Sequence, residues 1–183
     1  MMIRPKALCA VGAVALALTL TSCSSSTSSS STTTAPPTST PPTTKLAIDS
    51  IPAQDRSPAG TSGTAPTVVV PSGNPPTTLQ SADLITGTGA TAKPGDKVTV
   101  QYVLATYSSG KVIQSSWTSQ PFSFVLGEGQ VIPGWDAGVA GMKVGGRREL
   151  IIPPAEGYGA QSPGPGIAAN DTLVFVVDLL KIG

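Results

Sequence analysis

The chain has 183 residues, with 11 Lys and Arg against 10 Asp and Glu, and contains no histidine. Charge near neutrality, with no basic run beyond Arg147-Arg148, excludes the clustered footprint of a nucleic-acid binder. Without histidine there is no Ser-His-Asp or Cys-His catalysis and no usual zinc set, no acidic run has calcium-loop spacing, and so no metal or cofactor is expected.

In chain order, the first predicted element is a leader. Arg4 and Lys6 supply a positive start, and Ala7 to Leu20 is a continuous run of small apolar residues. The run suits a secretory signal and falls short of the ~20 residues that a membrane-spanning helix needs. It ends in Leu20-Thr21-Ser22-Cys23, which resembles the bacterial lipobox. The resemblance implies a signal peptide over residues 1–22, with acylated Cys23 as the first mature residue. It also implies an exported protein held by lipid on the outer face of the cell membrane. The other cysteine, Cys9, lies in the leader, so the rest of the chain has neither thiol nor disulfide.

Residues 23–64 are dominated by Ser, Thr, Pro and Ala and read as a disordered tether, because such a segment cannot bury enough apolar surface to offset its ordering entropy. Proline favours extended geometry, so about 40 residues of this kind span at most ~130 Å. Residues 65–183 are one domain's worth of foldable sequence, with a core from residue 79 onward.

Within that domain Val68 to Val70 is β-branched and bounded by prolines, which suits an edge strand. From Lys97 to Thr106, Val98, Val100, Tyr102 and Leu104 alternate with Thr99, Gln101 and Val103, the period of a strand. After a turn at Ser108-Ser109-Gly110, a second strand is expected from Lys111 to Ser115, and Phe122, Phe124 and Leu126 alternate in a third. Trp135, Val139 and Met142 then follow helical spacing, with Pro133 at the first helical position. Gly134, Gly138 and Gly141 each cost about 1 kcal/mol relative to Ala, so this helix must be held by packing. Arg148 to Ile152 and Thr172 to Ile182 complete the strands. Between them runs a Gly/Pro-rich loop, Ala155 to Asp171, of a length that usually carries function. The expected fold class is α+β: a mainly antiparallel β-sheet wrapped around one short α-helix, preceded by the tether. Arg147, Arg148 and Glu149 read as a solvated strand surface. Periodicity alone reads Trp135, Phe122 and Phe175 as core, alongside Phe124, Leu173, Val139 and Met142.

Five fragments change that reading of the aromatics. Gly110-Lys111-Val112-Ile113-Gln114-Ser115-Ser116, Pro121-Phe122-Ser123-Phe124, Val131-Ile132-Pro133-Gly134-Trp135, Gly157-Tyr158-Gly159-Ala160 and Thr172-Leu173-Val174-Phe175 resemble, in order and at matching spacing, the landmarks of the FKBP-type peptidyl-prolyl cis–trans isomerases. The resemblance covers Thr78 to Gly183. It implies an apolar cup with Trp135 as floor, walls of Tyr102, Phe122, Val131, Ile132 and Phe175, and Tyr158 on the long loop as a hydroxyl donor. The backbone N–H of Ile132 is implied as a second donor. Ile113 and Gln114 stand where the family commonly has Phe-Asp, so they are weaker substrate-binding candidates. Ile113 would widen one wall, and Gln114 removes a charge and implies weaker binding of rapamycin-like macrolides. The implied partners are proline-containing unfolded or exported polypeptides, engaged by a monomer. The implied activity is peptidyl-prolyl cis–trans isomerisation. The alternative is a proline-peptide binding module, or chaperone, with little turnover.

Overall fold

The computed structural model describes residues 49–183; the leader 1–22, Cys23 and the tether up to residue 48 lie outside the described residues. The described strands are β1 (Gln80–Ile85), β2 (Lys97–Thr106), β3 (Val112–Ser115), β4 (Phe122–Val125), β5 (Arg147–Ile152) and β6 (Leu173–Ile182), with one α-helix, α1 (Pro133–Val139). They form one antiparallel sheet in the order β1-β5-β6-β2-β3, and β4 also pairs with β2. The α+β expectation therefore holds. β1 is the strand that the sequence pattern does not announce.

The alternation in β2 and β6 sets the two faces. Val98, Val100 and Leu104 from β2 meet Leu173, Phe175, Val177 and Leu179 from β6, and Leu150 and Ile152 from β5 join them against α1. Helix α1 approaches β5 closely, and its glycines are the reason. A Cβ on Gly134 would stand 2.5 Å from Ile152 Cγ2, and one on Gly138 2.7 Å from Leu150 Cδ1. Two glycines that weaken the isolated helix thus let it lie directly on the sheet. Phe124, Leu173, Val139 and Met142 are buried, as core assignments require.

β3 and β4 are successive pieces of one edge. β4 pairs with Lys97 to Val100, and β3 with Val103 to Ala105. Between them Ser116 stitches the interruption to Tyr102: its hydroxyl accepts from Tyr102 N–H at 2.8 Å, and its own N–H donates to Tyr102 O at 3.0 Å. The hydroxyl also bonds Gln101 Oε1. This local device orients Tyr102.

The opposite face of the sheet is covered by residues 49–70. The sequence places the end of the tether at Thr64, yet residues 49–64 pack on the sheet. Ile51 is buried against Ala82, Ile151 and Val174, and Ser50 N–H donates to Ser81 O at 2.8 Å. Val68 to Val70 forms no strand; Val68 and Val70 pack on the same cluster as side chains. The Ser/Thr/Pro/Ala composition misleads here, because a few anchors suffice when a preformed sheet supplies the apolar surface.

Arg147, Arg148 and Glu149 are the clearest correction. They are not solvated: their exposures are 0%, 2% and 0%. Arg147 grips Asp178 with two bonds, at 2.6 and 2.7 Å, and donates to Ala59 O at 2.8 Å and Thr64 O at 2.6 Å. Glu149 accepts from Ser57 N–H at 2.8 Å and from Ser57 Oγ at 2.6 Å, while Val69 N–H donates to that hydroxyl at 2.9 Å. On the other face Arg148 pairs with Asp83 and donates to Gly138 O and Ala140 O, meeting the free carbonyls at the end of α1. A charged triplet in a strand reads as surface unless something covers both sides of it. Here α1 covers one side and residues 49–70 the other.

Candidate active site

Residues of β2, β3, β4, β6 and α1, with the loops before α1 and after β5, line a cavity of about 440 Å³. Trp135 lies at its base. Only 4% exposed, its ring meets Tyr102 and Phe175 edge-on, each with centroids 5.2 Å apart, and Phe122 at 6.1 Å. Such edge-to-face contacts hold the indole in one orientation. Trp135 Nε1 is buried and has no hydrogen-bond partner among the described residues.

The rim differs from the base. Phe122 is 41% exposed and Tyr158 38%, and both line the opening. Tyr158 follows the short 3-10 turn Pro154–Glu156. The turn is pinned by Gly157 and Gly159 N–H groups donating to Pro154 O at 3.1 and 2.9 Å. Gly159 sits at φ +58, where a side chain would be strained. The loop is thus shaped by backbone bonds, and the phenol projects from a fixed turn.

Val131 and Ile132 complete the wall. Ile132 is the N-cap of α1, held extended at φ −60 and ψ 146 by the following Pro133. Its carbonyl accepts from Trp135 N–H at 2.8 Å, while its own N–H has no partner among the described residues. The preceding loop is fastened to the helix by Asp136, whose carboxylate accepts from Gly127 and Gly129 N–H at 2.8 and 3.0 Å.

The electrostatics of the wall are simple. Its side chains include no carboxylate, ammonium or guanidinium group, and its titratable groups are two phenols. Burial, and to a lesser extent the neighbouring Tyr158, pushes the Tyr102 hydroxyl further above the ordinary phenol range. The cavity therefore offers an aromatic floor and neutral donors, with nothing suited to proton abstraction.

All seven residues named for the cup, Tyr102, Phe122, Val131, Ile132, Trp135, Tyr158 and Phe175, line this one cavity, and so does Gln114. Ile113 does not. It packs beneath the long loop, where a Cβ on Gly166 would come within 3.0 Å of its Cγ2. The sequence reading missed Gln130, which also lines the cavity and whose Oε1 accepts from Val125 N–H at 3.0 Å. Its position beside Val131, in a turn rich in glycine, was the available signal.

Residues 89–180 match the family model for FKBP-type peptidyl-prolyl cis–trans isomerases. The chain belongs to that family. As an FKBP-type enzyme it is a peptidyl-prolyl cis–trans isomerase, and the family's substrates are proline-containing peptides. An FK506-binding protein of Streptomyces anulatus is 50% identical over 102 residues, covering 55% of this chain and 82% of that protein. The 39 kDa FK506-binding nuclear protein of Drosophila melanogaster is 47% identical over 100 residues, which are 55% of this chain and 28% of its own length. Among solved structures, FkpA from Escherichia coli superposes with a TM-score of 0.51 at 40% identity, covering 57% of this chain and 47% of that one. AtFKBP13 gives the same TM-score at 32% identity, covering 57% of this chain and 93% of its own. The segment 49–88, including the part that closes the back of the sheet, lies outside the FKBP match.

Proposed function

We propose that the cavity over Trp135 is where this FKBP-type isomerase acts, seating the prolyl ring on the indole and stabilising the X–Pro amide out of plane. The observation that carries the reading is the combination at the cavity mouth: an Ile132 N–H without a partner among the described residues, beside an aromatic floor, in a wall that holds no acidic or basic side chain. A planar X–Pro amide is polarised by resonance, and its rotation barrier is about 18–20 kcal/mol. Half-rotation breaks the conjugation and lowers that polarity. A dry aromatic cup then favours the twisted amide over the planar one, while the Ile132 N–H and the Tyr158 hydroxyl hold substrate carbonyls in place. No proton transfer is required, which accords with a chain that has no histidine.

A protease-coupled assay on a short Leu-Pro peptide tests this reading. Phe122→Ala should lower kcat/KM by about tenfold, a loss of about 1.4 kcal/mol at the transition state. Unchanged turnover in that variant would remove the cavity from the mechanism, and peptide binding without turnover would favour a binding module.

The clients we propose are exported polypeptides, whose X–Pro bonds isomerise unaided over tens to hundreds of seconds. This rests on the leader and the lipobox-like Leu20-Thr21-Ser22-Cys23, which suit a lipid anchor on the outer face of the cell membrane. Cys23→Ser should shift the protein from the membrane fraction to the soluble one; a variant that stays with the membrane would end this part of the reading. For rapamycin-like macrolides we propose binding in the same cup, weaker than is usual for the family, and Gln114→Asp should tighten it by restoring a charged acceptor at the wall.

A further inference from the structure

The polar side chains of the cavity wall are two phenols and two carboxamides, and the carboxamides are not equivalent. Gln130 is engaged, with its Oε1 accepting from Val125 N–H. Gln114 is exposed at the edge of the sheet, opposite Leu104 in the β2–β3 register, and its carboxamide has no hydrogen-bond partner among the described residues. The acid closest in sequence to the wall, Asp136, is occupied by the amides of Gly127 and Gly129. Gln114 is thus the free carboxamide in a wall without charge.

We infer that Gln114 is a specificity-determining residue that makes the enzyme indifferent to charge on the residue preceding proline, so that acidic and basic X–Pro segments are substrates alike. The inference rests on the cavity being the X–Pro site. A carboxamide offers both an acceptor oxygen and two N–H donors. Free to rotate, it can turn its oxygen to an ammonium or guanidinium and its N–H groups to a carboxylate. A carboxylate at the same place could only accept, and its field would attract a basic neighbour and repel an acidic one. With the prolyl ring on Trp135 and a carbonyl at the Ile132 N–H, the flanking side chain meets a wall that answers either sign.

The experiment measures kcat/KM of the full chain on peptides with Leu, Glu or Lys before proline, at low and high salt. The Glu and Lys values should agree within about threefold and stay so when salt is raised. Gln114→Glu should favour Lys over Glu by about tenfold, and salt should shrink that preference. Gln114→Met should keep the ratio near unity while lowering turnover of both charged peptides relative to Leu, because the hydrogen bonds are lost without a new charge. A wild-type preference of about tenfold between Glu and Lys, or a ratio unmoved by Gln114→Glu, overturns the inference while turnover of the Leu peptide leaves the cavity's assignment standing. A wild-type chain that turns over none of the peptides overturns that assignment, and the inference with it.

Discussion

The two faces of one sheet treat polar groups in opposite ways. On the face toward α1, the cavity leaves the Ile132 N–H and the Gln114 carboxamide without partners among the described residues, at an opening rimmed by Phe122 and Tyr158. On the other face, Arg147 and Glu149 are fully enclosed, and Asp178, Ser57, Ala59 and Thr64 meet their hydrogen-bonding atoms. An unsatisfied group at an open mouth is still served by water and can exchange it for a ligand. One sealed under a segment of chain has no such recourse and must be paired. The difference separates binding from stability within a single layer of strands.

That contrast is broken most severely at Arg147. Arg147→Ala leaves Asp178 buried and uncompensated, so it should destabilise the fold by about 3–5 kcal/mol. The cavity lies on the other face, so kcat/KM per folded molecule should hold. Urea titration and the isomerase assay measure the two separately, and a loss of turnover without loss of stability would show that the faces are coupled. Removal of residues 1–64 should cost less, about 2–3 kcal/mol, because burial of Ile51 and the bonds to Glu149 and Arg147 are lost but water reaches the exposed charges. An unchanged urea midpoint in that truncated chain would mean that the segment contributes nothing to holding the sheet.

The smallest effect sharpens the comparison through pH. Burial raises the Glu149 carboxyl above its ordinary range, against the opposing pull of its two Ser57 hydrogen bonds and of Arg56. The folded chain therefore keeps this proton at pH values where the unfolded chain has released it. The associated stabilisation is complete below the unfolded glutamate pKa and disappears as pH rises through the folded one. Across that window wild type should lose stability relative to Glu149→Gln, whose side chain does not titrate. Urea midpoints of the two proteins that run parallel through the window would rule the effect out.

Much of the site was readable because its signals are local. Alternation placed β2 and β4, a continuous apolar run placed β6, Pro133 and the Trp135-Val139-Met142 spacing placed α1, and ordered fragments at family spacing brought the aromatics to one cup. β1 escaped because Gln80 to Ile85 mixes polar and apolar residues without a clean period; its pairing with β5 makes it a strand. Ile113 was assigned to a wall because Ile113-Gln114 stand where the family commonly has Phe-Asp, yet alternate residues of a strand face opposite ways and Ile113 lies under Gly166 while Gln114 lines the cavity. Gln130 escaped because a carboxamide in a glycine-rich turn has no periodicity to mark it.

Residue order alone was enough for the strand periods, the helix start and the neutral aromatic chemistry of the cup, because each depends on side chains a few positions apart along the backbone. Whether Arg147 and Glu149 meet water was settled only when residues 49–70 closed over the sheet. That closure joins Ser57 to Glu149, 92 positions apart. Burial of a charge depends on what the rest of the molecule places above it, and no local pattern carries that information.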